Sequence, residues 1–434
     1  MMKLKAATAG FATACHRVPP ALAHGEGDRR DDGHRPQRPS SELLTARQKV
    51  FGLENVDRST GEIKGDVVFS WLGHNTGAVA LAGRIVLMDS YIARLETKPG
   101  RTPFVIKDIV DLAPEAIFVS HGHGDHADNA AFIAAKTGAT LYMSPEACGT
   151  AQAALTRMKN DPYMQADPFF RISARTTVKC VGMTDEASVP ATQVVRVRQF
   201  DPQVCVLAYR ALHSVGVPLD PDWGDRSVID TPDPNDGRWF PAGVPLAPSQ
   251  PRQLGQQDIR QGAGPGGVDQ INYQFILRKG NNFSIMFSSS IGALKEGKGR
   301  NWPNGTPADG QRLIDLVRNR LPVTDLLFTT LDTGNLIPNG WRDQVMWTEA
   351  MRPKVLTTGH VPVGAAMQYF SGFMEQLELM EAPRNQWRGF PREDWPQVRN
   401  HTDPTDILKP QVYNAFDHAW KGVHKAGRFA RFCG

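Results

Sequence analysis

The sequence predicts an α/β protein, because strand-like and helix-like segments alternate on either side of a histidine-rich loop. An apolar strand-like run at 117–119 leads into this loop, and a second strand-like run follows at 140–143. The segment 129–138 between them is rich in alanine, the residue with the highest helix propensity. Upstream, 67–89 divides into three apolar runs separated by short turns, as in consecutive strands. This order of strand, loop, helix and strand is typical of the α/β class.

The composition indicates a globular protein without a polyanionic partner. The chain has 434 residues, of which 41% are hydrophobic and 22% charged, as is usual for globular proteins. Its formal net charge of +4 is nearly neutral for this length, so we expect no nucleic-acid partner. No apolar run approaches the roughly 18 residues of a transmembrane segment. The length alone suggests two or three domains, and the oligomeric state stays open.

The first 48 residues are predicted to be a leader and flexible linker, followed by one domain over 49–434. Two lysines precede a mildly apolar stretch at 6–15, and 21–23 reads Ala-Leu-Ala, as in a signal cleavage site. A cleaved signal and a disordered leader are both compatible with this pattern. A periplasmic or secreted location and a cytoplasmic location therefore both remain open.

Two long segments are predicted to extend the domain. The stretch at about 214–270 is rich in Pro, Gly, Asp and Gln and is expected to be a loop insertion. This stretch either covers a functional site, with a pocket lined by Trp223, Trp239 and Phe240, or forms a loop on the surface. A C-terminal extension from about 383 is expected to lie ordered on the surface.

The histidine-rich loop carries four side chains that can bind metal within six residues: His121, His123, Asp125 and His126. Imidazole and carboxylate are the usual ligands of zinc and related divalent ions. The glycines between them let the backbone fold tightly, so that the side chains can converge on one point. Three of the 12 histidines of the chain lie in this loop, which favours a metal site over a polar turn.

The pattern His-x-His-x-Asp-His, with the upstream run Trp-Leu-Gly-His-Asn-Thr at 71–76, resembles the metallo-β-lactamase superfamily. It is nearest the lactonase-like branch, which holds ascorbate-phosphate-lactonase-like and phospholipase D-like proteins. The resemblance covers 66–150 most closely. It implies an αβ/βα four-layer sandwich, in which two mixed sheets pack face to face between outer helices.

The resemblance implies six metal ligands, four in the loop and two at later strand ends: His121, His123, Asp125, His126, His213 and His360. A zinc ion held by the first two histidines and His213 would keep an open position, where bound water becomes a hydroxide that attacks a carbonyl or phosphorus. A second ion would be held by the other three residues. Asp125 is also expected to act in catalysis, by orienting the attacking water or accepting its proton. For His213 and for His360, a histidine bonded to backbone at a strand end is the alternative.

Three further residues are expected to support the ligands from outside the metal shell: His74, Asp89 and Ser289. In the resembled family an aspartate that bridges two metals stands at the position of Ser289, and a neutral hydroxyl is a poor substitute. The sequence therefore predicts one tightly bound zinc ion and a weaker or absent second one, with other divalent metals left open. Asp332 could replace the missing aspartate, but a turn residue is the favoured interpretation.

Several other residues have simpler predicted roles. The histidines of the C-terminal part are expected on the surface: His401, His418 and His424. Cys180 and Cys205 each lie on a strand-like run and could pair if the protein is exported, but small buried hydrophobic residues are the favoured interpretation. The basic loop 295–300 lacks the spacing of a P-loop and is expected to be a solvated turn, with phosphate contact as the alternative.

These patterns together predict a metal-dependent hydrolase that uses a metal-bound hydroxide on a small ester or lactone. A phosphodiesterase of the phospholipase D-like type is the alternative enzyme. A degenerate, non-catalytic metal-binding member of the superfamily is the alternative from another class, and the serine at position 289 is its best support. A flavin-linked di-iron oxidoreductase would carry glutamate in place of His123, which argues against that class.

Overall fold

The computed structural model describes residues 39–92, 104–222, 267–331, 339–360, 366–384, 387–402, 405–420 and 426–434. Its strands are β1 (Val67–Gly73), β2 (Thr76–Leu81), β3 (Arg84–Met88), β4 (Ala116–Phe118), β5 (Thr140–Met143), β6 (Cys180–Gly182), β7 (Val194–Val197), β8 (Val204–Arg210), β9 (Ile271–Leu277), β10 (Ser284–Ser288), β11 (Leu326–Thr330), β12 (Val355–Gly359), β13 (Gln397–Arg399) and β14 (Gln411–Tyr413).

The described α-helices are α1 (Ser41–Phe51), α2 (Ile106–Leu112), α3 (Gly124–Ala127), α4 (Ala130–Thr137), α5 (Pro145–Asn160), α6 (Pro162–Ala166), α7 (Pro307–Asp315), α8 (Gly340–Met351), α9 (Ala366–Leu379) and α10 (Ala426–Cys433). Short 3₁₀ turns span Leu53–Asn55 and Arg392–Asp394, and a π-helical turn, Leu316–Arg320, follows α7. None of the helices in these ranges is long and apolar enough to span a lipid bilayer.

The strands form two seven-stranded mixed sheets. The first has the order β14-β1-β2-β3-β4-β5-β6 and the second β13-β12-β11-β10-β9-β8-β7. In the first sheet β1 to β3 are antiparallel and β3 to β6 parallel; in the second β7 to β10 are antiparallel and β10 to β13 parallel. Each sheet thus consists of an antiparallel half joined to a parallel half.

Alternation along β8 shows how the layers pack. Val204, Val206 and Ala208 join a core with the first sheet and with helices α1, α2, α4 and α5. Cys205 and Leu207, on the opposite face, join a second core with helices α7, α8 and α9. Since successive side chains of a strand point to opposite faces, the second sheet lies between the first sheet and its own helices. The predicted sandwich of two mixed sheets between helices is confirmed.

The segment between β4 and β5 follows the predicted order. Helix α4 occupies 130–137 and ends at Gly138, whose φ of 79° is left-handed. Strand β5 begins two residues later, and its end leads into Ser144, whose hydroxyl accepts a hydrogen bond from Ala147 N at 3.1 Å and caps α5. Capping by serine with proline at the first helical position is a common start for a helix.

Both predicted chain ends need correction. Helix α1 begins at Ser41, and its Ala46 and Val50 are buried in the core, so 41–48 is not a linker. At the other end, the predicted surface extension from 383 contributes strands to both sheets. It adds β13 beside β12 at the edge of the second sheet and β14 beside β1 at the edge of the first.

The cysteines also differ from their predicted role. Cys180 pairs with Cys148 and joins β6 to α5, and Cys205 pairs with Cys433 and joins β8 to α10. The alternative Cys180–Cys205 pair is therefore wrong, as is the interpretation as small buried hydrophobic residues. The reason is topological, because β6 and β8 belong to different sheets and each meets its own covering helix.

The C-terminal histidines have different environments. His418 is exposed, as predicted, whereas His401 is only 4% exposed, so its predicted surface position is wrong. Its ring stacks on Trp71 at a centroid distance of 4.8 Å and its Nδ1 lies 2.6 Å from Thr358 O. His424 lies outside the described residues. So do the aromatic residues proposed to line a substrate pocket and the candidate replacement ligand: Trp223, Trp239, Phe240 and Asp332.

Candidate metal centre

The histidine-rich loop leaves the carboxyl end of β4 and continues into the short helix α3. His121 and His126 are 1% and 2% exposed, so the loop is held inside the protein rather than on its surface. Gly122 N donates to Gly267 O at 2.9 Å, and a Cβ at position 122 would lie 3.2 Å from that oxygen. Glycine therefore allows a close backbone contact with the segment that returns from the predicted insertion.

Three of the predicted ligands form one cluster. His121 Nε2 lies 3.1 Å from His123 Nδ1, and the His213 ring lies 4.6 Å from that of His121. One ligand atom from each lies within 4.8 Å of those of the others. His213 follows β8 and is held in place by Asn301, whose Oδ1 accepts from His213 N at 2.8 Å. His213 Nδ1 is 3.0 Å from Ser214 O, which leaves Nε2 available for a metal.

A second cluster surrounds one carboxylate oxygen. Asp125 Oδ2 lies 3.1 Å from His360 Nε2, 3.2 Å from His74 Nε2 and 3.6 Å from His126 Nε2. The two clusters are adjacent, since the rings of His121 and His126 are 4.0 Å apart. The structure thus brings together all six residues that the sequence analysis assigned as ligands.

The spacing of the second cluster fits a bound divalent ion. Donors that lie 2.0–2.1 Å from a tetrahedral zinc ion are roughly 3.3 Å from one another. The three distances from Asp125 Oδ2 lie on either side of that value. All four donor atoms lie within 4.8 Å of one another, so the four residues could together hold a divalent ion.

His74 is the residue whose position differs most from its predicted supporting role, because it lies among the donors. It follows the end of β1, and its backbone is left-handed with φ at 49°; His360 follows β12 with φ at 53°. His360 N donates to His74 O at 2.8 Å, and Trp71 Nε1 donates to the same oxygen at 2.7 Å. The sequence signal was available, because His74, like His213 and His360, comes directly after an apolar strand.

Asp89 and Ser289, the other two residues predicted to support the ligands, contact histidines of the donor clusters. Buried Asp89 Oδ2 is 2.7 Å from His126 Nδ1, and its other oxygen accepts from Ser120 N at 2.8 Å. A carboxylate on the second ring nitrogen fixes the orientation and tautomer of a ligand histidine. Ser289 Oγ is 3.4 Å from His121 Nδ1 and belongs to neither donor cluster.

Burial sets the charge of the histidines. Desolvation, and then the neighbouring imidazoles, lowers the pKa of His74 and of His123 to about 4 and that of His213 to about 3. The same two causes lower the pKa of His121 well below its ordinary value. All four rings are therefore neutral at neutral pH, which is the form that binds metal.

Asp125 is the one carboxylate in the two donor clusters. Burial alone would raise its pKa, but the charge of His126 and hydrogen bonds from His360 and His74 outweigh that effect. The net result is a pKa well below the ordinary value of an aspartate. Asp125 is therefore ionised under all physiological conditions and supplies the negative charge of the centre.

Both clusters open into one cavity of about 470 Å³. Beyond the ligands, its wall contains hydroxyl groups, the backbone of the segment after His213, and one cationic side chain: Ser214, Val215, Gly216, Ser289, Ser290, Thr330 and Arg300. Arg300 was expected in a solvated turn, and its place in this wall was not apparent from the sequence. The cavity gives a small molecule access to both sets of donors.

Comparison with curated proteins finds the UPF0173 metal-dependent hydrolase MK1542 of Methanopyrus kandleri, which is 40% identical over 72 residues. The match spans 17% of this chain and 28% of that protein, which is less than a third of its length. No protein-family profile matches the chain.

Several solved structures are similar. Igni18, a metallo hydrolase of Ignicoccus hospitalis, shares 12% identity with a TM-score of 0.42, covering 80% of this chain and 99% of that one. The metallo-β-lactamase fold protein YhfI of Bacillus subtilis shares 10% with a TM-score of 0.36, covering 75% and 97%. The Rm3 metallo-β-lactamase shares 14% with a TM-score of 0.31, covering 78% and 97%.

Proposed function

We propose that this protein is a metal-dependent hydrolase of the lactonase-like branch, acting on a small ester or lactone. The observation that carries the proposal is the pair of adjacent donor clusters in the wall of one cavity. A structural metal site needs one closed set of donors and no cavity, whereas a hydrolytic site needs an open coordination position beside room for a substrate.

The two clusters differ in a way that suggests separate tasks. The cluster of Asp125, His126, His360 and His74 offers four donors, enough to close a tetrahedral shell. The cluster of His121, His123 and His213 offers three and leaves a position open. A zinc ion bound there would supply Lewis acidity and lower the pKa of a bound water toward about 7.

The side chains of the chain provide the remaining requirements of ester hydrolysis. Because Asp125 is ionised and 37% exposed to the cavity, it can accept a hydrogen bond from the attacking water and orient it. His121 and His213 are neutral and held by neighbours, so they keep their place when substrate enters. The buried Asp89 fixes His126 and with it the loop that carries Asp125.

The test is a hydrolase panel on the purified full chain, with metal content measured in parallel. We expect turnover of para-nitrophenyl acetate or of a γ-lactone, loss of that turnover after chelation, and recovery on addition of zinc. His121→Ala should lose turnover and metal, while His418→Ala, which changes an exposed histidine, should retain both. Metal-loaded wild-type protein that binds zinc but hydrolyses no ester or lactone would contradict the proposal. Turnover of bis(para-nitrophenyl) phosphate alone would assign a phosphodiesterase instead.

A further inference from the structure

Asn75 is a fully buried polar residue beside the second donor cluster, the one that surrounds Asp125. It comes directly after His74 in the turn between β1 and β2, and it is 0% exposed. Its side-chain Nδ2 donates to Asp89 Oδ2 at 3.2 Å. The same carboxylate oxygen lies 2.7 Å from His126 Nδ1. The amide of Asn75 therefore holds the carboxylate that orients one of the donor histidines.

The oxygen of the same amide contacts the end of β12. A Cβ at Gly359 would lie 2.2 Å from Asn75 Oδ1, so the amide occupies the space that any larger residue at this position would need. Gly359 directly precedes His360, whose backbone N donates to His74 O at 2.8 Å. Asn75 thus fills the junction at which β1 of one sheet and β12 of the other end side by side.

These contacts connect Asn75 to all three histidines of the second cluster. His74 is its neighbour in the chain. The buried carboxylate that accepts from the amide connects it to His126, and the backbone at the end of β12 connects it to His360. A change at this one side chain would therefore reach three donors at once.

Packing alone does not account for an amide at this position. Asn75 Oδ1 is buried and has no hydrogen-bond partner within the described part of the chain. A buried polar atom without a partner is unfavourable. An apolar side chain of similar size, such as leucine, would fill the same space without that cost, but it could not donate to Asp89. The donated hydrogen bond is the feature that the amide supplies and a packing residue would lack.

We propose that Asn75 is a positioning residue of the metal centre. Its amide fixes the carboxylate of Asp89 and the spacing between the ends of β1 and β12, and so holds three histidines around a divalent ion beside Asp125. A group that orients a ligand in this way typically raises metal affinity by about ten- to a hundredfold. The proposal rests on the metal centre of the proposed hydrolase and not on its substrate, so zinc binding tests it separately from turnover.

The test measures zinc affinity at each cluster separately by calorimetric titration. His213→Ala disables the first cluster and leaves the second, whereas His360→Ala disables the second and leaves the first. Adding Asn75→Leu to the His213→Ala protein should lower its zinc affinity by about ten- to a hundredfold. Adding it to the His360→Ala protein should lower the affinity by about threefold at most, because the bonds of Asn75 lead to the second cluster. Asn301→Leu is the matched control and should show the opposite pattern, because Asn301 Oδ1 accepts from His213 N in the first cluster.

A purely structural role of Asn75 predicts a different result. Asn75→Leu would then lower the unfolding temperature of the metal-free protein and reduce the zinc affinity of both single-cluster proteins equally, which would overturn the proposal. Unchanged affinity in both proteins would overturn it as well, and so would a His213→Ala protein that binds no zinc, because the second cluster would then hold no ion. Should Asn75→Leu not fold, Asn75→Ser takes its place with the same expected pattern, because serine is shorter than asparagine and loses the bond to Asp89.

Discussion

Replacing His74 by glutamine tests whether this residue is a metal ligand or a support for the ligands. Structural zinc sites in small peptides are held by about 10–16 kcal/mol over four ligands, or roughly 3 kcal/mol for each. His74 Nε2 lies 3.2 Å from Asp125 Oδ2, which is the spacing of two ligands of one ion. We therefore expect His74→Gln to lose roughly 3 kcal/mol of zinc-binding free energy at this site. That corresponds to a decrease in zinc affinity of about a hundredfold.

Loss of a supporting residue can also lower metal affinity by up to about a hundredfold, so affinity alone does not distinguish a ligand from a supporting residue. The decisive measurement is the visible spectrum of the cobalt-substituted protein, which reports the coordination number of the ion. Wild-type protein should show a four-coordinate ion at the site of Asp125, and His74→Gln should admit water and change the spectrum. His418→Gln serves as the control, because it removes an exposed histidine. Wild-type zinc affinity together with an unaltered cobalt spectrum in His74→Gln would refute the reasoning.

Three further predictions concern the second metal, the disulfides and acid stability. Wild-type protein should retain one zinc ion after dialysis and lose another. Ser289→Asp should retain both, because it places a charged oxygen near His121, whose Nδ1 lies 3.4 Å from Ser289 Oγ. Two equally tight ions in both proteins would contradict this prediction. The four cysteines of the two disulfides should not react with thiol reagents before reduction: Cys148, Cys180, Cys205 and Cys433. Cys433→Ser opens a link across 228 residues and should cost about 5 kcal/mol of stability, measured as a lower unfolding temperature. Burial lowers the pKa of His401 from 6.5 to about 4, so the unfolded chain binds a proton at a higher pH than the folded protein does. Up to about 3 kcal/mol of folding stability is therefore lost as the pH falls from 6.5 toward 4. The unfolding temperature of His401→Phe should fall less over this range than that of the wild type, and an equal fall in both proteins would argue against this cause.

The parts of the site that could be predicted from sequence are those that depend on residues close to one another in the chain. His121, His123, Asp125 and His126 are close in sequence, so their convergence depends on one short loop. His360 comes after an apolar run, and the ends of strands in a two-sheet sandwich meet at one edge. These residues need no knowledge of long-range packing beyond the fold class.

The parts that could not be predicted depend on contacts between distant segments. His74 joins the donors because β1 of one sheet and β12 of the other end side by side, as the bond between His360 N and His74 O shows. His401 is buried because the C-terminal segment returns to Trp71, more than three hundred residues earlier in the chain. Neither the local hydrophobic pattern nor the spacing of residues contains that information.

Two departures from the expected ligand set, serine at 289 and histidine among the donors at 74, have one electrostatic consequence. Neither residue carries a negative charge, so Asp125 is the one carboxylate among the donors and the residues that line the cavity. Divalent ions bound there would bring more positive charge than this single carboxylate offsets. Arg300 adds a further positive charge to the wall of the same cavity. Because like charges repel, Arg300→Gln should bind zinc at least as tightly as the wild type in a calorimetric titration. Weaker zinc binding by Arg300→Gln would instead indicate that Arg300 maintains the structure of the site.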